Sequence, residues 1–255
     1  MRRSPEPGLR PGNASICALA TMTLAELQRL AAPHGLWLPV DAPPAQTVRE
    51  LMLGCDGGPR EARYGRLRDR TLAVEMRGRR FGSEAVKDVA GLDVRRALAG
   101  VEPISWAVFR LARLPEVRAH WVATGGRAFS LAETLRADAA APAALVVCAG
   151  DELLIASDHD TAEDARRRGL IEASASSAGA SLDEISHDDW LNRCAALPQP
   201  RSRMTGTAAR AAAAETDVPW AFDAGRRLAH GSLAHNHAAR AVPSALVRAV
   251  EQVLT

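Results

Sequence analysis

An α+β fold in two parts is what this sequence predicts, and three patterns predict it. Residues 71–76 (TLAVEM) alternate as a half-buried strand does, and Arg77-Gly78-Arg79 turns the chain before Phe81 begins the return, which makes a hairpin. Residues 143–148 and 152–157 are two further apolar strands joined at Gly150-Asp151, again a hairpin signal. Around both hairpins lie stretches that open on capping residues and repeat their apolar positions at helical spacing, so helices and antiparallel strands mix along the chain.

The elements follow in order. Residues 1–14 hold Pro5, Pro7, Gly8, Pro11 and Gly12 with little apolar material and read as a disordered lead-in. Residues 15–20 read as a strand. Thr23-Leu24-Ala25-Glu26 is a capping box that opens a helix with Leu24, Leu27, Leu30 and Ala31 on one face, and Gly35 stops it. After the first hairpin, Gly82 and Gly91 punctuate a segment carrying Val86, Val89 and Leu92. Residues 93–98 then read as a short helix capped by Asp93 and closed by Gly100. A strand over 104–111 ends a first domain, 15–111.

The remainder, 112–255, reads as a second α+β domain. It runs as a strand over 120–124, a helix over 131–138 behind the box Ser130-Leu131-Ala132-Glu133, the second hairpin, and a helix opened by Thr161-Ala162-Glu163-Asp164 and ended by Gly169. The order βαββα is half of a ferredoxin-like sandwich. Beyond it, residues 208–215 are alanine-rich and helical, 218–222 read as a strand, and 244–254 as an amphipathic helix.

Composition excludes whole classes of partner. Across 255 residues, 32 Lys and Arg face 30 Asp and Glu, and a net charge of +2 makes no field for nucleic acid or an anionic membrane surface. Cys17, Cys55, Cys148 and Cys194 form no C-x-x-C pair, so reduced thiols in the cytoplasm are expected. No apolar run approaches the ~20 residues a membrane span needs, and the start MRRSPEPGLRPGNAS has no apolar signal core.

Charged clusters have local readings. Asp158, His159 and Asp160 precede a helix whose N-terminus favours negative charge, and Arg166, Arg167 and Arg168 fall at its far end, where cations are favoured. His230, His235 and His237 in HGSLAHNH have the residue type of a metal site but no acidic partner, and a polar loop is the preferred reading, with no metal. No nucleophile, acid–base pair or metal triad assembles, so catalytic residues stay unassigned.

The stretch 63–100, RYGRLRDRTLAVEMRGRRFGSEAVKDVAGLDVRRALAG, carries a resemblance. It resembles the flavin domain of the p-cresol methylhydroxylase and vanillyl-alcohol oxidase superfamily, and most closely the FAD-binding subunits of bacterial glycolate oxidases. Arg63, Tyr64, Gly65, Asp69, Gly82, Lys87, Val89, Ala90, Gly91 and Asp93 match that pattern, while Asp88 stands for the usual Asn and Leu92 for an aromatic residue. Upstream, TMTLAELQRLAAPHG followed by LWLPVDAPP is similar to the helix and proline-rich loop that lead into the flavin site.

The resemblance implies a partial FAD-binding domain, its second subdomain, followed by a ferredoxin-like cap-type domain. It implies FAD as cofactor, with Pro43, Pro44, Gly54, Tyr64, Gly65, Asp69, Lys87, Gly91 and Asp93 beside it. Tyr64 is equally readable as a packed ring, and Asp93 as a helix cap. It further implies a complex that oxidises a small 2-hydroxy acid, in which this chain works beside a catalytic flavoprotein subunit and an iron–sulfur subunit. Hydride would then pass from the substrate carbon to the flavin.

Three departures weaken the cofactor site. The glycine-rich phosphate loop of the first subdomain is expected to be absent. Thr47-Val48-Arg49-Glu50 stands where the family has T-x-G-G, and Gly100-Val101-Glu102-Pro103-Ile104 where it has a longer glycine loop. Each lost hydrogen bond to a phosphate removes roughly 1.5–3 kcal/mol, so FAD is expected to bind weakly or only with a partner subunit. The alternative is a shortened, non-catalytic relative without flavin that serves as a structural or regulatory partner.

Overall fold

Helix α1 (Leu24–Ala31) begins where its capping box dictates. Thr23 Oγ1 accepts the Glu26 N–H at 3.2 Å, and Glu26 Oε2 accepts the Thr23 N–H at 2.8 Å. Leu24, Leu27 and Ala31 form its buried face, whereas Leu30 is 39% exposed and lies off the stripe. A single 3-10 turn follows, and Gly35 leaves it at φ 65°. The structure, a computed structural model, describes residues 7–54, 57–76, 79–82, 104–125, 127–138, 141–197, 201–203, 220–224 and 228–231. They fall into two compact units, the first holding residues 7–58 and 64–114 and the second 59–63 and 115–231.

In the first unit, β1 (Gly8–Arg10), β2 (Ser15–Leu19), β4 (Thr71–Met76), β5 (Arg79–Gly82) and β6 (Trp106–Arg110) form an antiparallel sheet ordered β1-β2-β6-β4-β5. A separate pair joins β3 (Leu36–Trp37) to β7 (Ala112–Arg113). Part of the expected lead-in is thus a strand, because residues 8–10 pair with 15–17 across a turn in which Ala14 takes φ 45°. Ile16, Ala18, Val74, Ala107 and Phe109 face a core completed by α1 and by Val48, Leu51 and Met52 of α2 (Val48–Gly54). Cys17, Leu72, Ala73, Trp106 and Val108 are buried on the opposite face. Residues 71–74 are therefore covered on both sides rather than half-buried, which explains why this strand lacks a polar face.

Short helices α3 (Glu61–Tyr64) and α4 (Leu67–Arg70) lead into β4. In the second unit, β8 (Val117–Thr124), β9 (Ala144–Cys148), β10 (Glu152–His159) and β11 (Ser181–Glu184) lie in the order β11-β8-β10-β9. β8 and β9 both pair antiparallel to β10 and so run parallel to each other, with β10 inserted between them. Two split βαβ units interlock in this way, as the βαββα order foretold. Strands β13 (Trp220–Asp223), β14 (Leu228–Gly231) and β12 (Arg201–Arg203) extend the sheet beyond β9.

Helices α5 (Ala128–Ala137) and α6 (Asp164–Ala178) cover one face of this sheet through Leu131, Leu135, Ile171 and Ala175. Helix α7 (His187–Ala195) covers the other with Trp190, Leu191 and Cys194. Three helix boundaries differ from the expectation, the first being that residues 161–163 form a 3-10 turn without a side-chain cap and α6 starts only at Asp164. Ser130 caps nothing: α5 begins two residues earlier, where Asp151 in the β9–β10 turn accepts the Ala128 N–H at 3.1 Å, a cap supplied from 23 residues away. Gly150 and Asp151 hold φ 82° and 59° there, a conformation that glycine and aspartate tolerate.

Gly169 does not end α6 either. The helix runs on to Gly179 at φ 73°, because burial of Ile171 and Ala175 outweighs the ~1 kcal/mol cost of an internal glycine. Arg166, Arg167 and Arg168 consequently sit near its start, paired with Glu163, Asp164 and Glu184. The expected helices at 93–98, 208–215 and 244–254 lie outside the described residues. Among the described residues no helix is long and apolar enough to cross a membrane.

The loop after β3 is locked in place. Gln28 donates to Leu38 O at 2.6 Å and accepts the Leu38 N–H at 3.0 Å, and the Asp41 N–H donates to Gly57 O at 2.7 Å. At Gly58, φ is +80° and an added Cβ would lie 2.5 Å from Asp41 Cβ and 2.9 Å from Asp41 O. Gly58→Ala therefore combines a left-handed backbone with a clash against main chain. We expect it to destabilise the protein by about 2 kcal/mol or more in urea unfolding, while Gly12→Ala, where a Cβ meets nothing within 4 Å, changes stability far less.

Candidate functional site

Tyr64 and Gly65 of the R-Y-G motif form a corner in the first unit. Tyr64 ends α3, and Gly65 then takes φ +83° with open space where a side chain would start. The Tyr64 ring meets Trp37 edge-on at 5.5 Å and 88°. Arg70 donates Nη2 to Tyr64 O, holds its guanidinium 5.9 Å over the ring, and donates Nη1 to Arg110 O at 3.4 Å. Burial pulls the Arg70 pKa down from its ordinary value, with Arg110 adding to the effect. Tyr64 is half-buried, while Gly65 and Asp69 are exposed.

Of the other residues that the resemblance implies beside a flavin, only some are among the described residues. Pro43 and Pro44 are exposed, and their carbonyls accept the Gln46 and Ala25 N–H groups at 2.9 Å each, tying the loop to α1. Gly54 is the last residue of α2. Lys87, Gly91, Asp93 and the 101–103 segment with Pro103 lie outside the described residues.

The T-x-G-G position is occupied by a second capping box. Glu50 Oε2 accepts the Thr47 N–H at 2.7 Å and its hydroxyl at 2.8 Å, and Thr47 Oγ1 accepts the Glu50 N–H at 3.3 Å. Those two bonds hold the Glu50 carboxyl below its usual range, so it is charged. A helix start whose donors are already met by a carboxylate does not fit a diphosphate.

The second unit buries a polar knot that sequence reasoning missed. Arg60, fully buried, donates Nε and Nη2 to Asp158 at 2.9 and 3.1 Å. Its Nη2 also lies 2.7 Å from His120 Nε2; a guanidinium only donates, so that imidazole nitrogen accepts. Burial, then Arg60 and His187, push the His120 pKa down to about 3, and the ring stays neutral. It stacks on Trp190 at 5.3 Å, and Arg60 lies 5.5 Å over the same indole. The one sequence signal was a charged residue inside GGPREARYG, with its partner 98 positions away.

Asp158 and His159 therefore belong to the end of β10, not to a helix cap. Ser157 Oγ lies 3.1 Å from His159 Nδ1, and His159 Nε2 lies 2.9 Å from Asp164, an order that imitates a hydrolytic triad. Ser157 is 1% exposed and His159 3%, so no substrate reaches the hydroxyl. Cys148 is no nucleophile either, since burial and Glu152 push its thiol up to about 12. Cys17, Cys148 and Cys194 form no disulfide. His230 lies in β14 rather than in a loop, paired with Arg201 and Ala221, and His235 and His237 lie outside the described residues.

No family model matches the sequence, and no curated protein does. The fold has relatives: alkyldihydroxyacetonephosphate synthase, solved in two crystal forms, matches with TM-scores of 0.65 and 0.58 at 12% and 14% identity. The matches cover 100% and 74% of this chain but only 64% and 43% of the synthase chains. This chain thus spans less than two thirds of their length. At such identity the likeness is one of fold: mixed helices and antiparallel sheets similar to the p-cresol methylhydroxylase-type FAD-binding fold.

Two outcomes test the knot. Arg60→Met or Asp158→Asn alone leaves a buried charge unpaired and should cost about 3–5 kcal/mol, while Arg60→Met combined with Asp158→Leu should cost less than either. For His120, the unfolded imidazole binds a proton below its ordinary 6.5 and the folded one only near 3. Its contribution to stability is therefore complete above pH 6.5 and is lost as pH falls toward 3. The lowered carboxyls of Glu163, Asp164 and Glu184 act in the same direction, but only near and below their ordinary range of 3.8–4.5. Urea unfolding between pH 6.5 and 4.5 should show a slope that His120→Gln flattens.

Proposed function

We propose that this chain is the FAD-binding-type subunit of a complex that oxidises a small 2-hydroxy acid, of the glycolate oxidase kind, beside a catalytic flavoprotein subunit and an iron–sulfur subunit. Residues 15–111 act as the FAD-binding-type domain and 112–255 as the cap-type domain. The observation that carries the reading is the Tyr64–Gly65 corner: an R-Y-G motif whose aromatic ring is held between Trp37 and Arg70, in a fold similar to that of flavin enzymes. Open space beside Gly65 leaves room for a planar ring to approach. Fold similarity alone does not choose between an oxidase and the synthase chemistry of its structural relatives; the motif supports the oxidase.

A second reading has its own observation. The Thr47–Glu50 capping box puts a charged carboxylate where the family presents glycine N–H groups to a phosphate, and this favours a non-catalytic relative that acts as a structural or regulatory partner. Both readings agree that the chain alone holds flavin poorly.

The test is a titration of FAD into the purified chain, followed by flavin fluorescence and visible absorbance, and repeated after co-expression with candidate partner subunits. The first reading expects affinity weaker than about 1 μM for the chain alone and retained flavin in the complex. Submicromolar binding by the chain alone would overturn the account of the 47–50 segment. A partner complex whose flavin content is indifferent to Tyr64→Ala would select the second reading.

A further inference from the structure

One face of the second unit's sheet carries α7, a helix of nine residues. Its apolar anchors, Trp190, Leu191 and Cys194, share one core with Val122, Val146, Leu154 and Ala156. At its far end Arg193 donates to Glu152 at 2.7 Å, a pair partly in water. The Trp190 ring, itself 0% exposed, stacks on His120 of β8 at 5.3 Å, and the His187 ring lies 5.2 Å from the same imidazole. The helix thus lays two of its rings against His120, which is 2% exposed beneath them.

That imidazole has no place for a second proton where it stands. Its Nε2 lies 2.7 Å from Arg60 Nη2, and a guanidinium only donates, so the nitrogen must offer its lone pair. A proton there would set two donors against each other inside a buried site. The surrounding charges add to the penalty: Arg60, His187 and Arg118 of its own strand oppose a charge on the ring, while Asp158, already paired with Arg60, favours one. The other charged groups of the packed elements stand at the surface. They are Asp183 of β11, Asp188 and Asp189 at the start of α7, and the Arg193–Glu152 pair.

Lifting α7 changes the balance. It takes Trp190 and His187 off the ring, admits water, and lets the imidazole turn from Arg60 and bind a proton as an ordinary histidine does, at about pH 6.5. Below that pH the lifted state holds one proton more than the docked state, so acid draws the helix off the sheet; above it docking is indifferent to pH. A short helix held through one face opens more readily than the hydrogen-bonded sheet it lies on. We propose that α7 is an acid-released strap, docked while His120 is neutral and lifted from the sheet when that ring takes a proton. The strap is independent of flavin, and its success or failure leaves the proposed function untouched.

Hydrogen exchange of the full chain, read by mass spectrometry from about pH 7.5 to 4.5 and corrected for the intrinsic pH dependence of amide exchange, tests it. Residues 187–197 should exchange faster than 144–148 at every pH, and their protection, level above pH 6.5, should fall about tenfold per pH unit below it. His120→Gln keeps an acceptor for Arg60 but takes no proton, and should level that fall. His187→Gln, at a half-buried position, should leave the fall in place. Protection of 187–197 equal to that of 144–148 at every pH would show that α7 opens only with the whole unit and would overturn the proposal. So would a level profile in the unmodified chain, a fall that persists in His120→Gln, or one that His187→Gln removes.

Discussion

The ion pair between Arg60 and Asp158 is the constraint on which the second unit rests. Both side chains are fully removed from water, and an unpaired charge there would cost several kcal/mol, so every neighbour is arranged to keep them paired. His120 is held neutral beside the pair and accepts from the guanidinium instead of competing with it. Trp190 of α7 lies against both Arg60 and His120, which joins the helix on that face of the sheet to the polar knot beneath it. Hydrophobic packing alone would tolerate small shifts of β8 against β10; a bidentate pair with an imidazole against it does not.

A second constraint recurs at the helix starts: free backbone donors are met by the nearest carboxylate or hydroxyl. Glu26 and Thr23 do this for α1, Glu50 and Thr47 for α2, and Ser186 for α7, while α5 takes Asp151 from a turn far away in sequence. At α2 this has a functional side. A start that satisfies itself has no use for a phosphate, whatever the fold around it. A fold similar to that of flavin enzymes therefore does not by itself supply a phosphate site, and residues 47–50 spend their donors on a capping box.

Local signals were legible wherever the physics is local. The Thr23 box, the Gly150-Asp151 turn, the strand and hairpin over 71–82 and the βαββ order of the second unit were all readable from spacing and residue type. The misreadings share one cause. The box at Ser130 lost to a tertiary acceptor at Asp151, the stop at Gly169 lost to burial farther along the helix, and the cap assigned to Asp158 lost to an arginine 98 residues upstream. Of the candidate site, Tyr64 and Gly65 were legible through their motif, but Trp37 and Arg70 were not, because no spacing rule brings those two side chains to the ring.

By itself the sequence determined the small net charge, from composition, and the Thr23 box, the two hairpins and the βαββ order, which depend on residues a few positions apart. Only the tertiary structure decided which charges are buried, which capping groups win and which imidazole is held between Arg60 and Trp190. The reason is physical. Backbone hydrogen bonding and side-chain periodicity act within a turn or two of chain, whereas desolvation and charge pairing depend on what else occupies the same space, whatever its distance in sequence.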